Sequence, residues 1–341
     1  MSNKTQQLLE IDRQRVFHAS THLKQYAAGE LSGRIISSGS GIRITDSEGI
    51  ELIDGFAGLY CVNIGYGRTE MADAIYEQAK ELAYYHTYVG HTNEALVTLS
   101  DRIIKMAPEG MSKVYYGMSG SDANETQLKL VWYYNNARGR PEKKKFISRI
   151  KAYHGITLVS ASLTGLPNNH RDFDVPFPQF KHVSCAHHWR NAHEGESEEE
   201  FATRLAKELE DKILAEGPET VAAFIGEPVM GAGGVFVPPR TYWPKIQEVC
   251  RKYDVLVVAD EVINGFGRTG TTWGCTTYGI EPDIITLSKA LTGGTLPLAA
   301  TIAQDRIFDA FLSDETSHAL MHGPTFMGNA LACAAANASS R

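Results

Sequence analysis

Three short runs constrain this chain more than any other feature: Val221-Ala-Ala-Phe-Ile225, Val255-Leu-Val-Val-Ala259 and Ile284-Ile-Thr-Leu287. Each is apolar at consecutive positions rather than at alternate ones. Strands of that kind must be covered on both faces, which is the condition of a parallel sheet packed between helices. Helical patterns over 198–216 and 242–253 precede the first two runs. The same alternation starts further upstream. It predicts helices over 71–83 and 94–106, a strand over 113–116, a long helix over 123–138 closed by Gly139 and Pro141, and a strand over 145–148. The fold class that follows is α/β, with a mainly parallel central sheet wrapped by helices. Residues 41–55 read as a β-hairpin turning at Asp46-Ser47-Glu48-Gly49. The first 35 residues read as polar helices and loops. Residues 168–197, rich in His, Asn and Pro, read as a long connection without structure of its own, functional or mobile in character.

Composition narrows the class of partner. The 341 residues carry 33 basic and 40 acidic side chains, a net charge of −7. The longest basic run, Lys143-Lys144-Lys145, reads as solvated surface, and no basic face for nucleic acid is expected. Five cysteines at scattered spacings suggest a reducing compartment rather than a disulfide frame. The first seven residues, Met-Ser-Asn-Lys-Thr-Gln-Gln, lack the apolar core of a signal peptide, and no apolar run approaches a membrane span. A cytoplasmic protein without a membrane partner is the expectation.

Several patterns imitate known motifs. Gly265-Phe-Gly267-Arg-Thr-Gly270 fits a dinucleotide fingerprint in spacing, but Asp260 to Asn264 separate it from the strand and no helix opening follows. Gly117-Met-Ser119-Gly120-Ser121 lacks the last glycine of a nucleophile elbow. His182, Cys185, His187, His188 and His193 match no zinc spacing and read as loop polarity.

Chemistry concentrates at strand ends. Lys289 follows the run 284–287 after a single serine. Ligands of open α/β sheets gather at such ends, and a desolvated lysine can act as a Schiff-base amine. The alternative is a solvated lysine capping a strand. Asp260 ends the run 255–259, where a carboxylate can pair with a cationic ring nitrogen, cap a helix or join a structural ion pair. Gly117 to Asp122 lead from a strand into the long helix. Small residues there expose backbone N–H groups and the positive end of the helix dipole, a seat for phosphate, or else cap the helix. Tyr153 follows a fourth strand and can lie beside a flat ligand or be a buried aromatic. A phosphate seat, a carboxylate and a lysine together describe a site for pyridoxal 5'-phosphate.

The motifs extend beyond these residues. They are Gly55-Phe-Ala-Gly-Leu-Tyr-Cys-Val-Asn-Ile-Gly-Tyr-Gly67, Ser119-Gly-Ser-Asp-Ala-Asn-Glu125, Ala152-Tyr-His-Gly-Ile-Thr157, Gly226-Glu-Pro-Val-Met-Gly-Ala-Gly-Gly234, Asp260 through Gly270, and Ser288-Lys289-Ala-Leu-Thr. In combination they resemble the class III aminotransferases of fold type I, and within them the ω-amino acid and amine:pyruvate transaminases. The stretch after Lys289 and the tail Met321 to Asn337 look more like 7,8-diaminopelargonate synthase, a member of the same class.

The resemblance implies roles. Lys289 is the Schiff-base lysine and proton carrier, and Asp260 the partner of the ring nitrogen. Gly120 and Ser121 hold the phosphate, and Tyr153 and Val262 sandwich the ring. His154 and Glu227 join the cofactor site. Thr325 reaches the cofactor phosphate of a partner subunit, which implies a homodimer. Tyr60, Tyr88, Tyr153 and Gly226 are substrate-pocket positions, Gly226 leaving room that a larger residue would fill. An amine donor and a keto acid such as pyruvate are the expected substrates.

The resemblance also implies a division into residues 1–65, contributing to a small domain, and 66–341, the large cofactor-binding domain. The family's C-terminal small domain, with its arginine for a substrate carboxylate, has no counterpart visible before Arg341. A cofactor-binding protein without turnover and another reaction of the same cofactor remain the competing readings.

Overall fold

The computed structural model describes residues 1–340. The chain divides into two compact units, Met1–Thr69 and Glu70 onward. In the first, strands β1 (Ile36–Ser40), β2 (Arg43–Asp46) and β3 (Glu51–Ile53) form an antiparallel sheet in that order. The expected hairpin is β2–β3, with Ile44 opposite Leu52. Asp46 builds its turn: Oδ1 accepts the N–H groups of Glu48 at 3.0 Å and Ile50 at 2.9 Å. Helix α1 (Asn3–Arg15) starts at Ser2, whose hydroxyl accepts the Thr5 N–H.

The second unit is built on a seven-stranded sheet. Its strands are β4 (Met111–Gly117), β5 (Lys145–Arg149), β6 (Phe180–Val183), β7 (Val221–Gly226), β8 (Leu256–Asp260), β9 (Ile284–Leu287) and β10 (Ala299–Gln304). The spatial order is β4-β10-β9-β8-β7-β5-β6. β10 runs antiparallel to both its neighbours, and all other pairs are parallel. Six strands therefore point their carboxyl ends at one edge, and β10 alone runs against them.

The helices α2 (Thr69–Glu81), α3 (Glu94–Met106), α4 (Gly120–Ala137), α5 (Leu158–Leu163), α6 (Glu198–Glu216), α7 (Tyr242–Lys252) and α8 (Ala330–Ser339) complete the alternation. The unbroken apolar runs are explained by two cores. Phe224, Val257, Ala259, Ile285 and Leu287 pack on one face with Leu205 and Leu209 of α6 and Trp243 of α7. Ala223, Ile225, Leu256, Val258 and Ile284 pack on the other with Leu128, Val131 and Tyr134 of α4. Burying each large apolar side chain contributes about 1.5–3 kcal/mol, so both faces hold the sheet.

Two expectations are corrected here. Residues 168–197 are not without structure: β6 lies within them and pairs in parallel with β5, Phe180 opposite Phe146. The strand is four residues long, and Phe180 and Val183 are its buried positions. The long helix begins at Gly120, three residues before the expected Ala123, because Ser119 caps it and its hydroxyl accepts the Asp122 N–H at 3.2 Å. Of the other four expected helices, α2 and α7 start or end a residue or two from the expected boundary. All five cysteines are free thiols. No helix among the described residues is long and apolar enough to cross a membrane.

Candidate active site

The shared edge of the sheet gathers the residues singled out in the sequence. β4 runs through Met118 and Ser119 into α4, whose first-turn N–H groups have no intrahelical acceptor. Ser121 does not cap the helix. Its hydroxyl accepts the Ile156 N–H at 3.0 Å, which draws the 153–157 loop against the helix start. That approach requires glycine at 155, where φ is +131° and a Cβ would lie 2.5 Å from the Ser121 hydroxyl. Gly120 is needed for a second contact, since a Cβ there would stand 2.9 Å from Cγ1 of Val262.

Asp260 is the last residue of β8 and is 2% exposed. Nδ1 of His154 lies 2.7 Å from its Oδ2, and against a carboxylate that nitrogen is the donor. Asn124 Nδ2 donates to the same oxygen at 3.0 Å, and the Val262 N–H donates to Oδ1 at 3.1 Å. Burial alone pushes this carboxyl up. The His154 imidazole, the Asn124 amide and the Val262 N–H outweigh it and hold Asp260 below the usual carboxylate range. A carboxylate kept ionised in a buried place suits a cationic partner.

Glu227 follows β7 and is 2% exposed. It accepts the Tyr153 N–H at 3.1 Å and the Gly231 N–H at 2.7 Å. Burial pushes its carboxyl up, and the charge of Asp260 adds to the rise. Two acids 33 positions apart in sequence are thus set to opposite sides of their ordinary values, a pattern common at reaction sites. Lys289 opens a short helical turn, Lys289–Thr292, one residue after the end of β9. It is half-buried, and its φ of +45° lies in the left-handed region. Non-glycine residues adopt that conformation only where the surroundings enforce it, often at working sites.

These residues line one cavity of about 90 Å³: Gly120, Ser121, Asn124, Tyr153, His154, Gly155, Glu227, Asp260, Val262, Ile263 and Lys289. Two buried polar atoms in its wall, Nε2 of His154 and Oδ1 of Asn124, have no protein partner. A wall with unpaired polar atoms, an anion seat, a carboxylate and an amine fits pyridoxal phosphate. The sequence reading did not single out Asn124 and Ile263. The signal for Asn124 was its place three residues after Ser121, on the same face of a helix.

Other expected residues lie elsewhere. Tyr88 is exposed, and its hydroxyl donates to the Gly323 carbonyl. Thr325 is exposed, and its carbonyl accepts the Tyr84 hydroxyl at 2.5 Å. The segment carrying Thr325 is held to α4 through His322, whose Nε2 lies 3.1 Å from the Thr126 hydroxyl. Tyr60 sits in the first unit on a turn in which Ala57, Gly58, Leu59 and Tyr60 all have positive φ. Such runs are costly for residues with a Cβ. Gly226 corrects an expectation. It is buried at the end of β7, and a Cβ there would stand 2.8 Å from Cη2 of Trp243 and 3.1 Å from Nη2 of Arg149. It makes room for those two side chains, not for a larger residue.

The loop histidines are occupied locally. His182 Nε2 lies 3.0 Å from the Thr164 carbonyl, His188 Nε2 lies 2.8 Å from that of Glu196, and His187 stacks on Phe236.

Comparison with known proteins agrees with this geometry. The sequence pattern of the family described as "Aminotransferase class-III" matches residues 26–341. The diaminobutyrate–2-oxoglutarate transaminase of Halomonas elongata is 55% identical over 331 residues, spanning 96% of this chain and 71% of that one. Gamma aminobutyrate transaminase 1 of Solanum lycopersicum, a mitochondrial protein, is 47% identical over 98% of this chain and 67% of its own length. The omega transaminase of Pseudomonas jessenii, solved in complex with PMP, superposes with a TM-score of 0.95 at 51% identity. That match covers 97% of this chain and 73% of that one.

The fold and the site define a pyridoxal-phosphate enzyme of fold type I. The chain belongs to the class III aminotransferases, enzymes that use this cofactor to move an amino group to a keto acid.

Proposed function

We propose that this chain moves the amino group of an ω-amino acid or related amine onto a small keto acid, pyruvate or 2-oxoglutarate. The observation that carries the reading is the convergence of Lys289, Asp260 and the first turn of α4 on one cavity. The relatives named for diaminobutyrate and gamma-aminobutyrate support a donor with a terminal amine.

Pyridoxal phosphate supplies an aldehyde that receives the amino group and a ring that accepts electrons from the adjoining carbon. The chain supplies the rest. Lys289 Nζ would hold that aldehyde and, once freed by substrate, move a proton between the substrate's amine-bearing carbon and the cofactor's aldehyde carbon. Asp260, held ionised, keeps the ring nitrogen protonated. Gly120 and Ser121 offer the phosphate their backbone N–H groups at the positive end of α4. Tyr153 and Val262 bracket the ring, and Glu227 and His154 complete the wall. Tyr60 and Tyr88 shape the substrate side. The positive-φ turn at Tyr60 supports a working role there. Thr325 serves the phosphate at a partner subunit's site, so the working unit is a homodimer. Its five free cysteines support the reducing cytoplasm as the compartment.

The test is direct. The protein is reconstituted with pyridoxal phosphate and given 4-aminobutyrate or 2,4-diaminobutyrate, with pyruvate or 2-oxoglutarate. One alanine or glutamate should form for each donor consumed. Full turnover in Lys289→Ala, or donor loss without a matching product amino acid, would overturn the proposal.

A further inference from the structure

Asn124 stands on α4 at 1% exposure, three residues after Ser121. An amide nitrogen has two hydrogens to give, and both are used. One goes to the His154 carbonyl at 2.7 Å, the other to Asp260 Oδ2 at 3.0 Å. The same Oδ2 lies 2.7 Å from Nδ1 of His154. Asp260 Oδ1 takes only the Val262 N–H, at 3.1 Å. A carboxylate oxygen has room for about two donors. Oδ2 is therefore filled, and Oδ1 keeps the spare direction.

We infer that Asn124 is a positioning residue. It locks the Asp260 carboxylate so that Oδ1 is the oxygen left for the cofactor's ring nitrogen, and it ties that choice to the helix turn that seats the phosphate. The inference rests on the pyridoxal-phosphate reading of the site.

The residue type is informative. A leucine would fill similar space but leave the His154 carbonyl and Oδ2 each one donor short. An aspartate would set a second negative charge about 3 Å from Asp260, which disfavours two ionised carboxylates. Of these, the amide alone donates to both without adding charge. Its own Oδ1 has no protein partner. A group that served only to fasten the helix to the loop would not need to leave a buried acceptor unpaired on the cavity side.

The experiment compares two cofactors: pyridoxal 5'-phosphate and its 1-deaza analogue, in which carbon replaces the ring nitrogen. Dissociation constants are measured by titrating the apoprotein, with the apoprotein's thermal unfolding as the control for folding. Wild type should prefer the natural cofactor, and Asn124→Leu should lose about tenfold or more of that preference. In an Asp260→Asn background the same substitution should move the preference no further. Should Asn124→Leu fail to fold, Asn124→Ala carries the same expectation.

A variant that weakens both cofactors equally shows a merely structural role and overturns the inference. A wild type that discriminates while the Asn124 variant discriminates as strongly also overturns it, and leaves the reading of the site intact. A wild type that binds both cofactors alike refutes the reading of the site and the inference with it.

Discussion

Two cavities of the second unit differ in size and in kind. The larger, about 680 Å³, lies beside β4 and β10 and is walled by Val114, Leu130, Ile307, Phe308, Phe311 and Leu320 among others. The smaller, about 90 Å³, is walled by the carboxylates, amide, imidazole and lysine described above. A search by volume would choose the first, since large apolar pockets are the usual binding-site hypothesis. The second is the one we propose for the chemistry, because Asp260, Asn124 and His154 converge there and hold one another in place. Buried volume measures how much a site can hold; the hydrogen-bond ledger of its wall measures what it can do.

The largest effect that can separate the two cavities is on turnover. Lys289→Ala should lower it by about 10³-fold or more, as loss of a proton-transfer group does. Phe311→Ala, in the larger cavity, should leave it at the wild-type level. Comparable losses from both would erase the contrast. Next is Asp260→Asn, which should lower turnover by about 10²- to 10³-fold through loss of fixed charge, read as the rate of amino transfer per bound cofactor.

The next effects fall on stability. Phe311 stacks on Tyr133 with centroids 4.4 Å apart and joins the α4 side of the core. Phe311→Ala should cost about 2 kcal/mol in denaturant unfolding, below the full-burial value because the ring is half-buried. Gly226→Ala should cost about 1–3 kcal/mol by pressing a methyl on Trp243 and Arg149. An unchanged unfolding midpoint would restore the expectation of free space there.

The smallest effect is on acid stability. Asp260 lies lower folded than unfolded, so it contributes stability above its ordinary value of 3.8 and loses it as pH falls through the folded value. The stability gap between wild type and Asp260→Asn should narrow below that pH. A gap that stays constant down to acid unfolding would contradict it.

The sequence made the strand ends legible because buried parallel strands are apolar at every position and stop abruptly at a charged residue. Asp260, Lys289 and the turn into α4 stood out for that reason. β10 did not, because Ala299, Ala300 and Ala303 carry little strand propensity. Its small residues are explained by what crosses it: the Thr301 hydroxyl donates to the Ala123 carbonyl of α4 at 3.2 Å. β6 was hidden by its length and by the polar residues around it. Asn124 was hidden because its partners, His154 and Asp260, are 30 and 136 positions away. Local pattern shows where chemistry is delivered; it does not show which distant side chain holds the delivered group in place.

The backbone at Lys289 has one more consequence. A left-handed residue with a side chain sits about 1 kcal/mol or more above glycine in the same conformation. The fold would therefore be served better by glycine at the one position where the proposed reaction needs an amine. On the proposed reading, catalysis and folding compete over a single residue. Lys289→Gly should unfold at a temperature no lower than Lys289→Ala, although neither retains the amine. Anyone selecting this protein for heat resistance alone would be drawn toward discarding its lysine.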